Sequence, residues 1–132
     1  MGGAVHHTGG PGSGAVVKRM INTLFATQVA VLAELLALVR QAGVDPDRAM
    51  QVLGQTPVAS PAARGAGAAI LARAFAPAFP IDLVVKDLAL ACAAGKEMPV
   101  TARVAEVFAA AAELGFGGDN ITGVAQLLAT GT

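Results

Sequence analysis

The stretch that decides the fold is "SGAVVKRMINTLFATQVAVLAELLALVRQA", Ser13–Ala42. After Gly14 neither glycine nor proline interrupts it, so it reads as one helix of about 28 residues, about 42 Å long at 1.5 Å per residue. Such a helix is longer than a small domain is wide. Its polar residues, Lys18, Arg19, Asn22, Thr23, Thr27 and Gln28, come early, while the later part is apolar on nearly every face. A helix apolar all round has to be covered all round. In a chain this short, complete cover calls for a second copy of the chain.

Working outward from that helix, the punctuation suits more helices. In "AGVDPD" Gly43 can end the first helix, Asp45 can cap the next and Pro46 can occupy its first position, giving a short helix over Pro46–Gly54. Pro57 and Pro61 bracket a turn, Ser60 can cap, and "PAARGAGAAILARAF" predicts a third helix, weakened by Gly65 and Gly67 and broken by Pro77 and Pro80. Asp82 is the expected cap of a fourth, "LVVKDLALACAAG", ending at Gly95. Pro99 or its neighbour opens a fifth, "VTARVAEVFAAAAELG", and Asp119 or Asn120 is the expected cap of a short terminal helix. The expected fold is therefore all-α, a bundle built around one long N-terminal helix. Residues 1–12, with "GGAVHHTGG", differ in kind and read as the end of a strand or a linker; residues 13–132 form the helical domain.

Composition limits the function. A chain of 132 residues suits one domain, and its nine basic and nine acidic residues cancel without forming a run. Nucleic acid is not an expected partner, because phosphate binding needs a concentrated positive surface. With 55% hydrophobic and 14% charged residues, the apolar surface exceeds what a small monomer buries, which again points to self-association. Cys92 is the only cysteine, so an internal disulfide is excluded and a reducing, cytoplasmic setting is expected. The opening makes a poor signal peptide. The most apolar window, Val29–Val39, is about 11 residues against the ~20 of a membrane span, so no membrane role is expected.

Several residues carry possible chemistry. "GPGSG" before a helix could hold an anion on free N–H groups, but no strand precedes it and no Gly-Lys-Ser/Thr follows. A nucleotide P-loop is excluded, and on spacing alone the plainer reading is a helix start. Adjacent His6 and His7 face opposite ways in an extended segment, and no third ligand accompanies them, so no metal site is expected. Lys18 and Asn22, at i and i+4, share a helical face. A desolvated lysine there would serve proton transfer, and a solvated lysine would have no such role. Lys86 and Asp87, embedded between "LVV" and "LALA", are either an exposed stripe or the wall of a cleft.

Together these residues resemble the β-hydroxyacid dehydrogenases related to 3-hydroxyisobutyrate dehydrogenase and 6-phosphogluconate dehydrogenase. The all-helical C-terminal domain of that family carries a Gly-x-Gly-x-x-x-Lys-x-x-x-Asn motif, matched by Gly12, Gly14, Lys18 and Asn22. "FPIDLVVKDLALA" is similar to its Phe-x(7)-Lys-Asp-Leu segment through Phe79, Lys86 and Asp87, and "MPVTARVAEVFAAAAELGFGGDNITGV" to its closing portion. The resemblance implies that Lys18 is the general acid/base and that Asn22 fixes substrate and lysine. It also implies that Gly12, Ser13, Gly14, Phe79, Lys86 and Asp87 line the cleft near substrate and nicotinamide, and that the domains pair into an intertwined homodimer. Imine reductases share the architecture but usually hold another residue at the lysine position, so Lys18 points to alcohol and carbonyl chemistry on a small hydroxyacid.

Nothing in the sequence corresponds to the family's Rossmann domain, which holds NAD or NADP and grips the substrate carboxylate. The expectation is that this chain alone neither binds the dinucleotide tightly nor turns over. The rival reading is a non-catalytic helical dimerisation module, in which Lys18 would be irrelevant.

Overall fold

A computed structural model describes residues 12–129. The "GGAVHHTGG" segment with His6 and His7 lies outside them, as does all of the expected linker except Gly12. Helix α1 spans Ser13–Gln41, α2 Pro46–Gly54, α3 Pro61–Ala72, α4 Ile81–Ala94 and α5 Pro99–Ala111. The chain then passes through a wide π turn, Ala112–Phe116, and a 3₁₀ turn, Ile121–Val124, into α6, Ala125–Ala129. Among the described residues there is no strand; one isolated antiparallel bridge pairs Pro80 with Asn120.

The long helix forms as its sequence predicts, 29 residues without a break. One of its faces, Ala26, Val29, Ala30, Ala33 and Leu36, is buried at the centre of the bundle. Against it pack Ile81, Val84 and Leu88 of α4, Val104 and Phe108 of α5, Ala66 and Ile70 of α3, and Ile121 and Val124 of the 3₁₀ turn. The residues follow the three- and four-residue spacing of a helical stripe in every element. On the opposite side of α1 a second stripe, Val16, Met20, Leu24, Val31, Leu35 and Leu38, is exposed.

By length and composition alone α1 could cross a membrane: an 18-residue window has a mean hydropathy of 1.7, with 28% of it buried. The length argument drawn from Val29–Val39 therefore does not separate the two cases.

Caps fall where the sequence puts them at two helices. Asp45 accepts from Asp47 N at 3.2 Å, and Ser60 Oγ accepts from Ala63 N at 3.0 Å. Gly43 ends the turn after α1 at φ 82°, a left-handed conformation that favours glycine.

Two expectations are corrected and a third is refined. The third helix stops at Ala72 instead of running to Phe75, because Arg73 turns left-handed (φ 54°) and its guanidinium lies over the Phe75 ring, 5.3 Å from the centroid. Asp82 is not the cap of α4. Pro80 holds that place, and the N–H groups of Ile81 and Asp82 donate to the carbonyls of Asp119 and Gly117, both at 2.9 Å. The Asp82 carboxylate lies so close to Gly117 that a Cβ there would collide with it. Asn120 stands at the N-cap position of the 3₁₀ turn, as expected, but makes no side-chain cap hydrogen bond there; its side chain is turned back toward the segment before α4.

Candidate functional site

Gly12 stands at the start of α1 in a left-handed conformation (φ 86°), with no side-chain cap, and Ser13 and Gly14 form the first turn. Lys18 follows one turn later and Asn22 a turn after that. On a helical projection Lys18, Asn22, Phe25 and Val29 fall on one stripe, the same stripe that becomes the core face further along. Lys18 is exposed, Asn22 and Phe25 are half-buried and Val29 is fully buried. The candidate lysine therefore sits where the core stripe of α1 runs out into solvent.

Helix α4 meets that stripe from the side. Asn22 Nδ2 donates to Asp87 Oδ2 at 3.2 Å, across 65 residues of sequence. Two segments singled out separately in the sequence thus meet through their polar side chains. Lys86 does not join them. It is exposed, and it projects about 100° around α4 from Asp87, away from the buried Ile81–Val84–Leu88–Ala91 stripe. Phe79, half-buried, packs on the core beside the start of α4.

Phe79 is held from behind. Asn120 Oδ1 accepts from Ala78 N at 3.1 Å and from Phe79 N at 2.9 Å, while Asn120 Nδ2 donates to Thr122 Oγ1 at 2.9 Å. The backbone adds Asn120 N to Phe75 O at 2.9 Å and Ile121 N to Phe79 O at 2.8 Å. Sequence reading missed this role. An asparagine just before a helix signals a cap, and only the fold reveals that the loop before α4 takes its side chain. Phe25 was also missed, although it lies seven residues after Lys18 on the same face and was open to discovery from spacing.

Among the described residues no group of three or more His, Cys, Asp or Glu side chains could hold a metal ion. What the arrangement offers is an exposed lysine one turn from an amide that is hydrogen-bonded to a carboxyl group. That set suits orienting a small polar molecule and moving one proton.

The helical bundle is one found in known dehydrogenases. Residues 12–128 match the family described as NAD-binding of NADP-dependent 3-hydroxyisobutyrate dehydrogenase, and the chain belongs to that family. It is 32% identical to 2-(hydroxymethyl)glutarate dehydrogenase of Eubacterium barkeri over 96% of its own length and 44% of that protein. It is 31% identical to glyoxylate/succinic semialdehyde reductase 1 of Arabidopsis thaliana, over 84% of the chain and 40% of that protein. The chain thus spans less than half the length of these relatives. The crystal structure of 3-hydroxyisobutyrate dehydrogenase from Salmonella typhimurium superposes with a TM-score of 0.81 at 26% identity, covering 89% of this chain and 42% of that one.

Proposed function

We propose that this chain supplies the helical half of an NAD(P)-dependent 3-hydroxyacid oxidoreductase, with Lys18 as its proton-transfer residue. The observation that carries the reading is the Asn22–Asp87 hydrogen bond, which brings two of the family-like segments together one turn from Lys18. Among the described residues there is no β-strand to build a dinucleotide cradle. What fits is one wall, Lys18, Asn22, Phe79 and Asp87, against which the nicotinamide end and the substrate would lie. Bound there, the dinucleotide would supply the hydride acceptor for the carbinol carbon of the acid, or the hydride donor for its carbonyl.

Lys18, as the free amine, takes the hydroxyl proton as the carbon–hydrogen bond breaks, leaving a carbonyl; in reverse its ammonium protonates the carbonyl oxygen. Asn22 aligns the oxygen with the lysine, held in turn by Asp87. Closure of a second domain over the exposed end of α1 would exclude water from Lys18 and strengthen these contacts. By itself the chain leaves that end open, so tight dinucleotide binding and turnover by the chain alone are not expected. The reaction suits a cytoplasmic, reducing compartment, in keeping with the single Cys92.

The exposed stripe Val16–Leu38 on α1 supports pairing of two chains through this helix, intertwined as in the family the sequence resembles. Leu24 and Leu35 are 58% and 48% exposed, so Leu24→Glu with Leu35→Glu should leave the bundle folded and halve its mass in sedimentation. A parent chain that already sediments as a monomer would remove the pairing.

The same stripe also favours a second reading, a non-catalytic dimerisation module. To separate the two, the chain is joined to the nucleotide-binding domain of a relative and Lys18→Ala is compared with the parent. General acid–base catalysis contributes roughly 10²–10⁴-fold, so kcat should fall by that factor with thermal stability unchanged. Equal turnover would take Lys18 out of the mechanism and favour the module.

A further inference from the structure

We propose that the cavity where α1 and α3 end binds an apolar monocarboxylic acid, its chain among core side chains and its carboxylate at Arg40 and Arg73. The site is independent of the reading of Lys18, which lies 22 residues back along α1, about 33 Å at 1.5 Å per residue.

The cavity has a volume of about 440 Å³, within the range of small-molecule sites, about 300–1,000 Å³. Its floor is apolar: Leu36 is 4% exposed and Ile70 7%, and half-buried Leu128 of α6 adds to the wall. The polar residues that line it, Arg40, Gln41 and Arg73, are all exposed, and none of the lining residues is acidic. An apolar recess thus opens past two cations.

Neither cation is neutralised within the chain. Among the described residues the salt bridge that forms is Arg103–Glu106, far from this cavity in sequence and on another helix. Arg73 takes a left-handed conformation at φ 54°, where glycine or asparagine is the usual residue. Its guanidinium lies over the Phe75 ring, 5.3 Å from the centroid, a contact that holds the cation without supplying an acceptor oxygen.

The two helix ends work against an anion, each carrying about half a negative charge. A single arginine at one helix end would be an ordinary complement to that charge. Two full positive charges on one cavity exceed it, so the opening stays cationic.

These walls select an anionic head on an apolar tail. A guanidinium presents paired N–H donors that match the two oxygens of a carboxylate. A neutral apolar molecule would leave both cations without a partner. A dicarboxylate would carry its second charge down to Leu36 and Ile70, where no lining group repays its lost hydration.

The test is an NMR titration of this chain with octanoate, below its micelle-forming range. It is read at the methyl groups of Ile70 and Leu128, with those of Leu24 and Leu35 on the exposed stripe of α1 as controls. Octanoate should shift Ile70 and Leu128 saturably and leave Leu24 and Leu35 unmoved. Acetate, which lacks the tail, should shift none of the four, and 1-octanol, which lacks the charge, should bind at least about tenfold more weakly.

Arg40 and Arg73 are exposed, so Arg40→Gln and Arg73→Gln should spare the fold. Together they should weaken octanoate at least about tenfold, and each alone should give part of that loss. Equal affinity for octanoate and 1-octanol, unchanged affinity in the variants, or shifts centred on Leu24 and Leu35 would each overturn the proposal. Tighter binding of octyl phosphate than of octanoate would also overturn it, by assigning the two arginines to a phosphate.

Discussion

Two asparagines organise this molecule, and their surroundings differ. Asn120 is bound on every side: its amide oxygen takes two backbone N–H groups, its amide nitrogen meets Thr122, and its own N–H reaches Phe75. Asn22 makes a single side-chain bond at 3.2 Å, to a half-buried carboxyl group. A buried polar group is a stability element when its hydrogen bonds are satisfied within the fold. A polar group with capacity to spare, at the rim of a cleft, is placed to meet something from outside. Under the proposed function, the difference separates an amide committed to the scaffold from one left with capacity for a substrate.

The sharpest way to break this contrast is to remove the amide oxygen of Asn120. Asn120→Ala leaves the N–H groups of Ala78 and Phe79 without their acceptor and takes a partner from Thr122, which is 3% exposed. An unsatisfied buried donor costs about 1–3 kcal/mol, but Ala78 is exposed and Phe79 only half-buried, so the expected loss of unfolding free energy is about 1–2 kcal/mol. Asn120→Asp keeps an acceptor and should recover a large part of it. Urea denaturation of the three proteins measures both. A loss below about 0.5 kcal/mol for the alanine variant, the range of an ordinary surface substitution, would mean that the loop before α4 is held by its backbone bonds alone.

How much of this was legible in the sequence follows the same division. The helical bundle, the single long helix, the Asp45 and Ser60 caps and the Gly43 turn were readable because each is decided within a few residues of chain. Lys18 and Asn22 were readable as one face for the same reason, being four residues apart. Their meeting with Asp87 was implied only through resemblance, since it joins positions 65 residues apart.

What failed was local logic at places where tertiary partners take over. Asp82 looked like a cap, but the carbonyls of Gly117 and Asp119 accept the first N–H groups of α4. Asn120 does stand at the N-cap of its own turn, but its side chain is drawn away by a more distant loop that offers two donors at once. A cap is predictable when its helix is its only customer, and these have competing partners from across the bundle.

The smaller effect is the more informative about function. Asn22→Ala removes one hydrogen bond, long and half-exposed, contributing no more than about 1 kcal/mol. It also replaces an asparagine inside α1 with the best helix former, a gain of roughly 0.5 kcal/mol. The two nearly cancel, so the unfolding free energy of this chain should move by less than about 0.5 kcal/mol, within the usual scatter of surface substitutions. In the chain joined to a nucleotide-binding domain, the same variant should lower kcat/KM at least about tenfold, a loss of roughly 1.4 kcal/mol of transition-state stabilisation. Activity lost without stability is what a residue kept for an external partner produces. Stability lost in step with activity would instead place Asn22 with Asn120, as part of the scaffold, and leave Lys18 alone.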